Sequence, residues 1–193
     1  RKELLDALVS AASAPKIAPD NYSEVMRSLK RLFNDPMIVV ATLAVKAVGL
    51  LAAGLGSEFS HCARIALPCI LEKLKDKNKG MVEAALAAMD AIVPACIKVA
   101  DILEELAEVI NCKVPPARVH AMTWCSKFLS SLPIKVSRTI VESAVKCSDD
   151  AAPEVRECAL LFLSTCCSVY GCDTMTKGFL DKLDAKRVKR ITD

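Results

Sequence analysis

Between residues 67 and 91 the chain reads LPCILEKLKDKNKGMVEAALAAMDA, two apolar-striped stretches around a short basic connection. Leu67, Ile70, Leu71 and Leu74 recur at helical spacing before it, and Met81, Val82, Ala85, Leu86, Met89 and Ile92 after it. The connection, Lys75-Asp76-Lys77-Asn78-Lys79-Gly80, is too polar and too short to be anything but an exposed turn between antiparallel neighbours. A single pair of helices cannot cover both of its apolar faces. Similar pairs must stack on either side.

The rest of the chain supplies such pairs. Residues 1–13 place Leu4, Leu5, Leu8 and Val9 on one face and read as the second helix of an incomplete first unit, so an upstream piece is expected. After the breaker-rich residues 14–19, Asp20 or Asn21 is placed to cap a helix that turns Val25, Leu29, Leu32 and Phe33 inward. That helix ends at Asn34-Asp35-Pro36, and the apolar run 38–55 follows, punctuated by Gly54 and Gly56. A fourth unit pairs residues 100–110 with a helix that starts at Pro115-Pro116 and stops before Pro133. A fifth pairs 135–147 with 153–170, and a terminal segment carries Phe179, Leu180, Leu183, Val188 and Ile191.

The connectors at Asp35, Lys77, Lys113 and Asp150 are spaced by 42, 36 and 37 residues, the range of two-helix HEAT-type units. With 53% hydrophobic residues, only 6 Gly and 9 Pro, and no run that alternates with a two-residue period, helix is favoured throughout. The expected fold is all-α, a HEAT-repeat α-solenoid paddle of stacked antiparallel helix pairs. Residues 1–193 are expected to make one domain with an incomplete first repeat.

Several function classes are excluded by what the sequence lacks. The net charge of +3 is too small to argue for nucleic acid, and no arginine-rich arm or aromatic stacking platform is present. The run 38–55 has the length of a marginal membrane span, but Lys46 at its centre costs about 3 kcal/mol on insertion scales. No membrane contact is expected. The ten cysteines include no CxxC pair and sit mostly in apolar helical stretches, where free thiols act as small hydrophobes in a reducing compartment. Only His61 and His120 could complete a metal site, so neither a metal nor a cofactor is expected. There is no Gly-rich phosphate loop, nucleophile elbow or HExxH, and Asp149-Asp150 reads as helix capping, so the chain is not expected to be an enzyme.

Stacked pairs bring their internal turns to one edge. That edge would carry Met37, then Lys75, Lys77 and Lys79, then Lys113 with Arg118 just inside its helix, then Arg156 one turn into the fifth unit. The positive ends of the second helices begin there too. Such a strip suits an acidic partner. Any single lysine in it can equally be a solvated turn residue.

The segment 59–92, FSHCARIALPCILEKLKDKNKGMVEAALAAMDAI, resembles the third repeat of a TOG domain of the microtubule-polymerase (TOG/CLASP-type) family. The shared pattern is F-S-x-Y/C-A, then P-x-L/I-L-E-K-x-K-x-K, then A-x-D-A-I. Residues 29–40, 111–118 and 150–156 are similar to further turns of that family, and FLDKLDAKRVKRI at 179–191 to its closing helix. The resemblance implies a module that holds the αβ-tubulin heterodimer with its intra-repeat turns and supports microtubule growth. It also implies a place among several similar domains of a longer cytoplasmic, cytoskeletal protein at microtubules, spindle or centrosome. On this reading Met37 and Ile38 make apolar contact, Lys75, Lys77 and Lys113 pair with tubulin carboxylates, Arg118 adds charge, and Arg156 is the main charged contact of the far half. The family's first-turn tryptophan has no counterpart, because Trp124 falls inside a fourth-unit helix beside Met122 and Phe128 and reads as core. Met37 and Val114 each stand where the family has asparagine. The alternative is a generic HEAT scaffold that binds another protein through its helical face.

Overall fold

A computed structural model describes residues 1–181 and 183–192; Lys182, in the closing segment, and Asp193 lie outside the described residues. The described residues are helical, with no strand among them. The chain divides into two compact units, 1–99 and 100–193.

In the first unit, α1 (Lys2–Ala12), α3 (Ile38–Leu55) and α5 (Lys79–Ala95) pack side by side as one layer. The second layer is α2 (Ser23–Leu32) against α4 (Ser60–Lys73). The expected hairpins are therefore α2/α3 and α4/α5. The N-cap of α2 is Tyr22, which makes no side-chain cap bond, rather than the expected Asp20 or Asn21; Asn21, one residue earlier, accepts the Ser23 N–H on its Oδ1 at 3.0 Å. The buried residues of this stretch are Met26, Leu29 and Phe33, whereas Val25 and Leu32 are only half-buried. Leu29 and Phe33 thus face inward as expected, with Met26 in place of Val25 and Leu32. Val25 and Leu32 line an open groove beside α1 instead.

The α3 helix has the hydropathy and length to cross a membrane, yet ten of its eighteen residues are buried in the core between α1 and α5. Its lack of a polar face follows from that sandwiching. At Gly49 α3 and α5 approach closely: a Cβ there would lie 2.9 Å from the Cα of Ala88. The backbones meet because neither residue carries bulk. At Gly56 the chain leaves α3 with φ of 56°, which an L side chain resists.

The stripe from Leu67 proves to be the second half of α4, which starts seven residues before it at Ser60 and carries Pro68 on an exposed face. In α5, Pro94 disrupts the last turn by forcing Val93 out of helical geometry (φ −88°, ψ 82°).

In the second unit, α6 (Leu103–Ile110) packs on α8 (Ile134–Cys147), and α7 (Pro115–Ser126) on α9 (Pro153–Tyr170). The α6/α7 and α8/α9 hairpins again span two layers. The fourth-unit helices are shorter than expected, because residues 99–102 and 129–131 are 3-10 turns. Trp124 is 1% exposed, its ring 4.7 Å from that of Phe128, as the sequence required of a core residue. A short helix α10 (Cys172–Met175) and a π-turn at residues 176–180 lead to α11 (Ala185–Thr192), which lies on α9.

Candidate functional site

The first unit brings two turns together. In the α2/α3 turn, Asp35 Oδ1 accepts the Met37 N–H at 2.9 Å while its other oxygen meets Arg1 Nη1 at 2.5 Å. The carboxylate is pinned on both sides. This sets Met37 as the extended N-cap of α3, and Met37, Ile38 and Val39 emerge 54%, 39% and 49% exposed. An apolar patch three residues long at a helix start is contact surface that the core does not use.

In the α4/α5 turn, Asp76 Oδ1 accepts the Asn78 N–H at 2.8 Å, and Asn78 Oδ1 caps α5 by accepting from Met81 N–H at 3.0 Å. Lys75 is half-buried, its Nζ 2.6 Å from Glu72 Oε1. Lys77 is exposed and pairs with no carboxylate among the described residues. Lys73 Nζ donates to Asn34 Oδ1 at 2.8 Å, which ties this turn to the α2/α3 turn.

The second unit also brings two turns together, by different means. Arg118, expected on the partner-facing edge, is turned inward with its side chain only 15% exposed. Its Nη1 pairs with Asp150, its Nε donates to the Ile110 carbonyl at 3.0 Å, and its Nη2 to Cys147 Sγ at 3.1 Å. One guanidinium therefore staples the end of α6 to the α8/α9 turn. A second bond, Asn111 Nδ2 to Ser143 Oγ at 2.8 Å, reinforces it. Arg156 reaches back to the same turn, with Nη1 donating to the carbonyls of Asp150 and Ala151 at 2.7 and 2.9 Å. No carboxylate among the described residues pairs with it. Lys113 stands exposed and unpaired at the tip of the α6/α7 turn, again among the described residues.

Asp150 Oδ1 accepts the Ala152 N–H at 2.9 Å, which shapes the turn before α9; the helix cap expected of Asp149-Asp150 is not formed, since the N-cap is Ala152 and makes no side-chain bond. The bond to Ala152, and behind it the Arg118 guanidinium, holds the Asp150 carboxyl below the usual carboxylate range, against the opposing effect of burial.

A regularity absent from the sequence reading emerges. Asp35, Asp76 and Asp150 each accept the N–H of the residue two positions on, and that residue is the N-cap of the unit's second helix. At the corresponding place in the α6/α7 turn stands Cys112, two residues before the N-cap Val114. The sequence carries the signal as an aspartate two residues before the N-caps of α3, α5 and α9, a turn-forming residue type at a fixed offset. Val39 was missed as well, because an apolar residue at a helix start looks like core until the neighbours are placed.

No group of three or more potential metal ligands occurs among the described residues. Burial disfavours the thiolates of the core: it pushes Cys125 and Cys166 up to about 12 and Cys167 up to about 11.

The CLASP N-terminal family model matches residues 5–191. The chain belongs to that family. It is similar to Protein MOR1 of Arabidopsis thaliana, with 33% identity over 198 residues that cover all of this chain and 10% of MOR1. The chain thus spans about a tenth of the length of that curated relative. Among solved structures, one from work on microtubule plus end tracking by XMAP215, CLIP-170 and EB1 superposes with a TM-score of 0.86 at 28% identity, over 99% of this chain and 81% of that one. Another, from work on tubulin recruitment and assembly by microtubule polymerases with TOG domain arrays, also reaches 0.86, at 25% identity over 99% of this chain and 41% of that one. The TOG resemblance drawn from residues 59–92 therefore extends along the CLASP N-terminal chain from end to end.

Proposed function

We propose that this CLASP N-terminal chain is a tubulin-binding module of a microtubule-associated protein, and that its two units act together as one domain. Its contacts are the turn tips: Met37, Ile38 and Val39 supply apolar area, and Lys75, Lys77 and Lys113 meet carboxylates of the αβ-tubulin heterodimer. Arg156 contributes the part of its fork that does not bond the turn carbonyls. Arg118 supports the turns from behind. The observation that carries this reading is that each unit gathers its two turns into one place and leaves exposed cations there with no carboxylate of their own among the described residues. A cation already unpaired in the free protein gives up no internal bond on meeting a partner.

The relatives' length supports a place among several similar domains in a longer chain, and names such as Centrosomal protein 224 and Protein mini spindles support work in the cytoplasm at microtubules, spindle or centrosome. The chemistry is that of binding, and no catalytic step is assigned.

Gel filtration with purified tubulin tests it. The double variant Lys77→Glu, Lys113→Glu should lose co-elution with tubulin while its helical circular dichroism and melting temperature stay at wild-type values, since neither lysine holds an internal bond. Undiminished co-elution would remove the turn tips from the interface and favour a scaffold that binds through its helical face.

A further inference from the structure

Beside the α8/α9 turn, α9 and α11 enclose a polar cleft of about 270 Å³. Four cations line it, Arg156 from α9 and Lys186, Arg187 and Arg190 from α11, against the carboxylates of Glu157 and Asp184. Two of the arginines are committed to the fold. Arg187 Nη2 holds Asp149 Oδ1 at 2.6 Å and its Nε lies 3.3 Å from Asp184 Oδ2, while Arg190 grips both oxygens of Glu157 at 2.7 and 3.4 Å. These pairs fix α11 against α9 and neutralise the lining carboxylates. Lys186 makes no ion pair among the described residues, and Arg156, whose Nη1 bonds the Asp150 and Ala151 carbonyls, pairs with no carboxylate there and keeps the rest of its guanidinium. The cleft therefore keeps a positive surplus contributed by both walls.

We infer that this cleft is a second binding site, which takes the carboxylate side chains of an acidic, extended protein segment between Arg156 and Lys186. Its volume suits side chains rather than a whole small-molecule ligand. Arginine supplies a planar fork for a carboxylate and lysine a mobile point charge, a combination that tolerates glutamates in several positions. No aromatic ring lines the cleft, so a nucleic-acid strand would find phosphate partners but nothing on which to stack its bases. This goes beyond the turn-tip contacts, with which it shares Arg156 but which need neither α11 nor Lys186. It gives the closing helix a role in recognition as well as in covering α9.

Fluorescence anisotropy of a labelled ten-glutamate peptide titrated with the 193-residue chain tests the site at low salt. The wild type should bind, more weakly as salt rises. Lys186→Gln should weaken binding about three-fold and Lys186→Glu about ten-fold, on the scale of partly exposed charge pairs. Lys16→Glu, a reversal at an exposed site in the first unit, should leave it unchanged. Lys77→Glu should also leave the peptide bound while weakening tubulin, so a failure of the turn-tip reading is separable from a failure of this one. Absence of peptide binding, equal loss in the Lys16 variant, no loss in either Lys186 variant, or tighter binding of a ten-nucleotide thymidine strand would each overturn the inference.

Discussion

The two units build the same hairpin twice and spend their cations differently. In the first, aspartate and asparagine side chains set the turns with Arg1 on Asp35 and Lys73 on Asn34 beside them, while Lys77 projects without structural duties and Met37, Ile38 and Val39 stay exposed. In the second, a guanidinium is built into the turn: Arg118 is inside the molecule and Arg156 half inside, and only Lys113 projects freely. The contrast teaches that a basic residue near a turn is not one kind of thing. A lysine at a tip is held by solvent and can be exchanged at little cost to stability. An arginine with five donors can instead satisfy several backbone carbonyls and a carboxylate at once, and then it holds the turn together.

The sharpest way to break this comparison is to remove the staple. Arg118→Ala should leave the half-buried Asp150 carboxylate without its cation and leave the Ile110 carbonyl only the weak Cys147 thiol donor at 3.6 Å, lowering stability by about 2–3 kcal/mol. For a chain of this size that is a fall of about 8 °C in melting temperature, read by circular dichroism. If Arg118→Ala melts like the Lys113→Ala variant, the two kinds of cation are not distinct.

A smaller effect separates the turns by pH. Because the Asp150 carboxyl sits below its ordinary value, its stabilisation is fully present above about pH 4 and is lost as pH falls through its folded-state value. Asp150→Asn should therefore be less stable than wild type near neutrality, with the gap narrowing as the pH falls below the ordinary carboxylate range in a series of thermal melts. A gap independent of pH would assign the difference to something other than charge.

The smallest effect sharpens the one turn that departs from the aspartate pattern. Cys112→Asp should install the missing acceptor for the Val114 N–H and raise stability by about 0.5–1 kcal/mol, seen as a higher urea midpoint with unchanged slope. No gain would mean that Arg118 and Asn111 already hold this turn as firmly as the aspartates hold the others.

Much of this was written in the local sequence. Helical spacing located the helices, Pro36, Pro115 and Pro153 marked starts, and the short polar connectors located the turns. Those signals act over a few residues, which is why they are legible there. Where neighbours decide, the sequence was silent or misleading. The inward face of α2 is set by how α3 and α4 press on it, which buried Met26 and left Val25 half exposed. Whether an arginine faces a partner or an aspartate 32 residues away is not a local property, and Arg118 went inward because Asp150, Ile110 and Cys147 converge on it.

The amino-acid sequence by itself determined that this chain would be a stack of antiparallel helix pairs with charged connectors, since amphipathic period and turn chemistry are intrinsic to each segment. The tertiary structure alone decided which of those charges are consumed in holding turns and which are left for a partner. A cation's availability depends on the carboxylates and carbonyls that folding brings within bonding distance, and those come from far along the chain.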